Sequence, residues 1–214
     1  MSTPIPKNEA KRLNVLWQYE VLDTVPEEIF DDLTDLAAKI CEAPIALISL
    51  VDEDRVWYKS KIGLALSECS RDVSFCGHAI AQNDLSIVPD ATKDERFANN
   101  PFVTSGPKIR FYAAAPLVTP DGHVVGTLCV LDKVPRELRP HQKQALRILA
   151  HHVMTQLELR RHARELAKAH KNGDDRRGEL AKAQAENTKL RAQLAKFKAR
   201  RPAAKRKPAK KSRR

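Results

Sequence analysis

Ser74 to Ile80 reads SFCGHAI, with a cysteine and a histidine two positions apart. Those residue types suit a nucleophile with its base, half of a metal site, or a pocket wall. In a helix, positions i and i+2 point to different faces, so Cys76 and His78 alone do not make a catalytic pair. In an extended chain they would share a face, but no third orienting group is identifiable. A zinc site asks for about four ligands in paired spacings. Cys69, Cys76 and His78 are the candidates, while Cys41 and Cys129 lie in apolar runs and read as small core residues. No catalytic residue and no metal ligand is therefore assigned. A redox role is a stronger alternative: Arg71 and His78 would lower a thiol pKa, and Cys69 and Cys76 would pair in the fold. The glycines are scattered and form no phosphate-cradling loop after a strand, and the sequence names no cofactor.

The elements that would position these residues follow from hydropathy spacing. Leu13, Leu16 and Trp17 mark a first helix. Thr24 is the expected N-cap of a second, with Pro26 in its first turn and Ile29, Phe30, Leu33, Leu36, Ala37 and Ile40 as its apolar stripe, ended by Pro44. IALISLVDED and RVWYKSKIG read as a hairpin with an acidic turn. CGHAIAQN reads as a short helix and SIVPDA as a short strand. TKDERFANNPFVTSGPKI is largely loop, with a helical turn near Glu95–Ala98. RFYAAAPLVT and HVVGTLCVLD are two strands joined by PDG, and a long amphipathic helix follows, with Leu146, Leu149, Val153 and Leu157 on its core side. His151 and His152 fall on that helix's surface. The order predicts an α+β domain with helices on one face of an antiparallel sheet.

The net charge of +11 has one source. Eleven of the 38 basic residues and none of the 27 acidic ones lie from Lys196 to Arg214, so residues 1–195 are neutral. The division expected is a folded domain over residues 7–160, a helical or short coiled-coil extension over 161–198, and a disordered basic tail over 199–214. In the extension, Leu180, Asn187 and Leu194 at position a and Ala183, Leu190 and Phe197 at d give a short heptad pattern, with KNGDDRRG as a break and a homodimer through the helices as its use. In the tail, Lys205, Arg206, Lys207, Lys210, Lys211, Arg213 and Arg214 suit nucleic acid or another polyanion without base reading. No run of about 18 apolar residues suggests a membrane span, and the N-terminus has no secretory h-region, so the expected location is cytoplasmic.

Six ordered blocks, YEVLDTVPEEIFDDLTDLAAKIC, PIALISLVDEDRVWYKSKIGL, RDVSFCGHAI, IVPDATKDERFANNPFV, IRFYAAAPL and GTLCVLD, resemble the GAF domain, in its bacterial subgroup found ahead of histidine kinases and diguanylate cyclases. The resemblance implies a central antiparallel sheet with helices on one face and a ligand pocket on the other, covered here by Ala91 to Ile109. It departs at SECSRDVSFC, where Cys69 and Ser70 replace the usual Thr-Pro.

The pocket reading of SFCGHAI then groups Phe75, Cys76 and His78 with Asp90, Asp94, Phe97, Arg110 and Tyr112, Arg110 supplying a cation for an anionic or carbonyl ligand. The bland alternative is that Arg110 pairs with Asp90 or Asp94 and closes an empty fold. The function expected is a small-molecule sensor, not an enzyme, that relays a change through its terminal helices. The alternatives are a thiol-dependent redox protein using Cys76 and a nucleic-acid-binding scaffold.

Overall fold

The computed structural model describes residues 3–199. The chain forms two compact units, the first ending at Ala163 and the second starting at Arg164. In the first unit, six antiparallel strands run β1 (Ile45–Val51), β2 (Arg55–Ile62), β3 (Glu68–Ser70), β4 (Ser86–Val88), β5 (Phe111–Val118) and β6 (Val124–Asp132), in the sheet order β3-β2-β1-β6-β5-β4. β1 and β6 are buried along their whole lengths. Both faces of the sheet are covered, so alternate residues feed two separate cores.

On one face, Ala46, Ile48, Leu50, Phe111, Ala113, Ala115 and Leu128 meet α1 (Glu9–Gln18), α2 (Glu28–Cys41) and the first part of α5 (Pro140–Ala199). Leu146, Leu149, Val153 and Leu157 supply the α5 side, as their spacing predicts. On the other face, Ile45, Leu47, Tyr58, Tyr112, Ala114, Cys129 and Leu131 meet α3 (Phe75–Ala79) and the segment between β4 and β5, which holds α4 (Pro101–Thr104). Two-sided burial explains why β1 and β6 read as near-continuous apolar runs.

Three local expectations are corrected. Thr24 does not cap α2: its hydroxyl donates to Val21 O and accepts from Lys59 Nζ, and the helix begins after Glu27. The buried stripe of α2 is Phe30, Thr34, Ala37, Ala38 and Cys41, while Ile29 and Leu36 are exposed. KNGDDRRG is no break, because α5 continues through it. The edge strand β3 was not foreseen. The basic tail, residues 199–214, lies outside the described residues but for Ala199. Among the described residues no helix is long and apolar enough to cross a membrane.

Lys59 also escaped the alternation of β2. It is buried, and its ammonium is satisfied by Thr24 Oγ1, Val25 O and the Glu27 carboxylate, which also accepts from Arg160 of α5. A second ionic cluster fastens α1 to the other core. Glu9 accepts from Arg12 and Arg71, while Arg12 donates to Val51 O and Arg71 to Asp52 O and Glu53 O. Arg71 begins the short 3-10 turn that leads into α3.

Burial alone would raise the Glu9 carboxyl, but hydrogen bonds from Arg12 and Arg71 outweigh it and bring it down to about 2, from 4.5. A depressed carboxyl pKa adds stability above its unfolded value, and that stability is lost as pH falls through the folded value. Glu9→Gln is therefore expected to lower unfolding stability at pH 7 by about 2–3 kcal/mol, the scale of hydrogen bonds to charged groups. In chemical denaturation the gap between wild type and variant should close as pH falls from 4.5 toward 2. Equal stability at pH 7, or a gap that does not change with pH, would contradict this cluster's role.

Candidate functional site

The site is built where α3 and the 91–109 segment close over the second core. α3 starts because Ser74 Oγ accepts from Cys76 N at 3.1 Å. Phe75 then points down, stacking on Phe97 with ring centroids 4.3 Å apart and lying 5.2 Å from the Tyr112 ring. His78 meets Phe97 edge-on at 4.9 Å. Phe97 is thus held between two residues of α3, and Arg96 stacks on the same ring.

The 91–109 segment is shaped mostly by its own bonds. Asp94 accepts from Arg96, Asn100 accepts from Phe102 N to start α4, and Ile109 N donates to Phe102 O. Arg110 donates to Val103 O and Ile109 O. One side-chain bond ties the cover to α3's approach: Asn100 Nδ2 donates to Val73 O at 2.8 Å.

Beneath the cover lies a cavity of about 30 Å³. Its lining is apolar apart from Ser74, Cys76, Tyr58 and Tyr112. Tyr112 is fully buried, and its hydroxyl meets no partner with hydrogen-bond geometry among the described residues. Burial, with Cys76 and Cys129 close by, pushes its phenol up. Where the cover meets the approach to α3, Asp72, Val73, His78, Arg96, Asn99, Asn100 and Pro101 form a cleft of about 240 Å³. Burial, and then Arg96, keeps the His78 imidazole on the neutral side.

Of the eight pocket residues read from the sequence, the structure brings Phe75, Cys76, Phe97 and Tyr112 together in the buried core and sets His78 on the cleft side of the same ring. It does not bring Asp90, Asp94 and Arg110 into the cavity lining. Asp90 is occupied by Thr92 and Lys93, Asp94 by Arg96, and Arg110 by backbone carbonyls, so Arg110 pairs with neither aspartate. Sequence reasoning missed Tyr58, Ser74, Arg96 and Asn100. Tyr58 was legible in the alternation of β2, Ser74 as a serine directly before a short helix, and Asn100 in the N-cap pattern Asn-Pro.

The cysteines also rearrange. Cys69 sits on edge strand β3, where its sulfur accepts from Tyr58 Oη at 3.1 Å. The thiol beside Cys76 is Cys129 of β6, with the sulfurs 3.8 Å apart. The Cys129 thiol also favours negative charge on Cys76, against burial, helped by the Ser49 and Thr127 hydroxyls, so Cys76 goes down while burial sends Cys129 up. Cys41 lies in the helix-side core, and burial lifts it to about 11. Among the described residues no group of three His, Cys, Asp or Glu side chains is arranged to hold a metal ion.

Comparison with known proteins agrees with this architecture. A cyclic di-GMP phosphodiesterase of Pseudomonas aeruginosa is 41% identical over 133 residues, which is 62% of this chain and 23% of that protein. The chain therefore spans about a quarter of that relative's length. The GAF domain of a phosphoenolpyruvate-protein phosphotransferase from Acinetobacter matches with a TM-score of 0.53 at 18% identity, over 71% of this chain and 93% of the other. A free methionine-R-sulfoxide reductase from Neisseria meningitidis, solved with its substrate, matches with a TM-score of 0.53 at 19% identity, over 72% and 92%. These two likenesses are of fold.

The expectation that the chain is not an enzyme is corrected here. It rested on the missing Cys–His pair, yet the 41% relative is named as an enzyme and the same fold serves a reductase. The sequence profile of the GAF domain matches residues 25–157, well over half of the chain, and the chain belongs to the GAF domain family.

Proposed function

We propose that this chain is a signal-sensing GAF domain protein that takes a small molecule on the pocket face of its sheet. The observation that carries the reading is the buried Tyr112 hydroxyl, unpartnered among the described residues, in an apolar cavity under the 91–109 segment. A buried polar group without a partner costs about 1–3 kcal/mol, which a ligand atom at that point would recover. The cavity of about 30 Å³ holds a water-sized group. A drug-sized ligand needs roughly 300 Å³ or more, so binding moves the 91–109 segment, whose Phe102, Pro107 and Ile109 line the cavity. Membership in the family supports a sensory role, and the cyclic di-GMP phosphodiesterase relative supports a setting in second-messenger signalling.

The relay we infer runs through the sheet. Cys129 and Leu131 face the pocket, while Leu128 and Val130 of the same strand face the core that holds α5. Movement of β6 on one side is felt on the other because close-packed interiors transmit strain. Leu159, Leu166, Leu180 and Leu190 of α5 are exposed, which supports a homodimer through this helix. The basic tail would hold the protein on a polyanion.

Native mass spectrometry of the full chain from fresh lysate is expected to show a retained small molecule, and Phe97→Ala to lose it. A bare chain from every growth condition would sink the ligand reading. For the tail, removal of residues 199–214 should abolish duplex DNA binding. The intact chain should lose affinity with salt at a log–log slope of about 0.9 per phosphate contacted. Salt-independent binding, or none by the intact chain, would remove the polyanion role.

A further inference from the structure

Cys76 and Cys129 come from elements 53 residues apart in sequence, yet their sulfurs stand 3.8 Å apart. Cys129 lies in β6 between Leu47 of β1 and Ala114 of β5, and α3 lowers Cys76 onto it from above. The two thiols differ in access. Cys76 lines the cavity of about 30 Å³, whereas Cys129 is not among its lining residues. That volume admits a molecule about the size of water, and hydrogen peroxide is little larger. Beside Cys76 the cavity offers the Tyr112 hydroxyl, the one phenol of this core left without a partner among the described residues.

We propose that Cys76 and Cys129 are a peroxide-reactive dithiol, Cys76 the attacking sulfur and Cys129 the resolving one. Cys76 loses its proton and its sulfur attacks the near oxygen of the hydroperoxide. An S–O bond forms, the O–O bond breaks, and the departing oxygen takes up the proton to leave as water or an alcohol. Cys76 is then a sulfenic acid. The Cys129 sulfur displaces that hydroxyl, forming the S–S bond and releasing water, with the Cys129 proton going to the hydroxyl. The pair gives up two electrons and the hydroperoxide takes them. The sulfurs close from 3.8 Å to the roughly 2.0 Å of a disulfide. The surroundings favour these roles: the Cys129 thiol and nearby hydroxyls ease Cys76 toward thiolate, while burial keeps Cys129 protonated until it resolves. The bond would pin α3, and Phe75 beneath Phe97, to the sheet. This inference does not depend on the small-molecule reading, because the protein is oxidised alone.

The full chain is treated with hydrogen peroxide in native buffer, blocked with N-ethylmaleimide, and digested without reductant. The expected result is a loss of two hydrogens from the intact mass, a Cys76–Cys129 cross-linked peptide, and reversal by dithiothreitol. Cys69→Ser should leave the cross-link unchanged. Cys129→Ser should stop at a Cys76 sulfenic acid that dimedone traps. A Cys69–Cys76 link, a Cys76–Cys129 link that forms only in urea, or no loss of mass overturns the proposal, and the wild-type digest alone decides it if a variant does not fold.

Discussion

The pairing of β1 with β6 is the constraint on which the rest depends. Residues Ile45 to Leu50 lie against Gly126 to Leu131, and both strands are covered on both faces. At Gly126 the strands approach so closely that a Cβ would sit 2.0 Å from Ser49 O, so no larger residue fits. Ser49 and Thr127 face each other across the pair, their hydroxyls 2.8 Å apart, satisfying two polar groups inside an apolar layer. The β-bulge at Ile48 and Ser49 re-registers β2 here, so Ser49 lies opposite Tyr58.

From that pairing come two cores that share one thin wall. The helix-side core is fastened at its rim by ions: Lys59, Glu27 and Arg160 link β2, the start of α2 and α5. The pocket-side core is fastened differently. Its cover is held down by the stacked Phe75 and Phe97 rings, by the buried Val103 and Ile109 side chains and by Asn100 on Val73 O. Aromatic pairs and a single neutral hydrogen bond contribute about a kcal/mol or so each. The cover forms no strand, whereas β1 and β6 are each paired along both edges, so its opening is expected to cost less than theirs.

The strands and helices were legible because their periods are local. Apolar β-type runs found β1, β5 and β6, alternation found β2, and the Leu146, Leu149, Val153, Leu157 spacing found the core face of α5. What failed depended on neighbours distant in sequence. Thr24 looks like an N-cap until Lys59 arrives to claim its hydroxyl, and Lys59 looks solvent-exposed until Glu27 and Arg160 enclose it. The site divides the same way. Phe75, Cys76, Phe97 and Tyr112 meet because each is buried in the pocket-side core. Arg110, Asp90 and Asp94 were grouped by charge, and each is consumed by a local partner. The Cys69–Cys76 pairing rests on sequence proximity, whereas α3 packs over β6 and sets Cys76 next to Cys129.

We expect the cover over the pocket core to open without disturbing the β1–β6 wall. Native-state hydrogen exchange of the full chain, resolved by segment, tests it most directly. The prediction is that amides of residues 97–104 exchange through an opening at least about 100-fold more populated than that of β1 and β6, roughly 2.7 kcal/mol cheaper. Exchange of the cover and of β1 and β6 in a single step, with the same free energy and the same denaturant dependence, would contradict it.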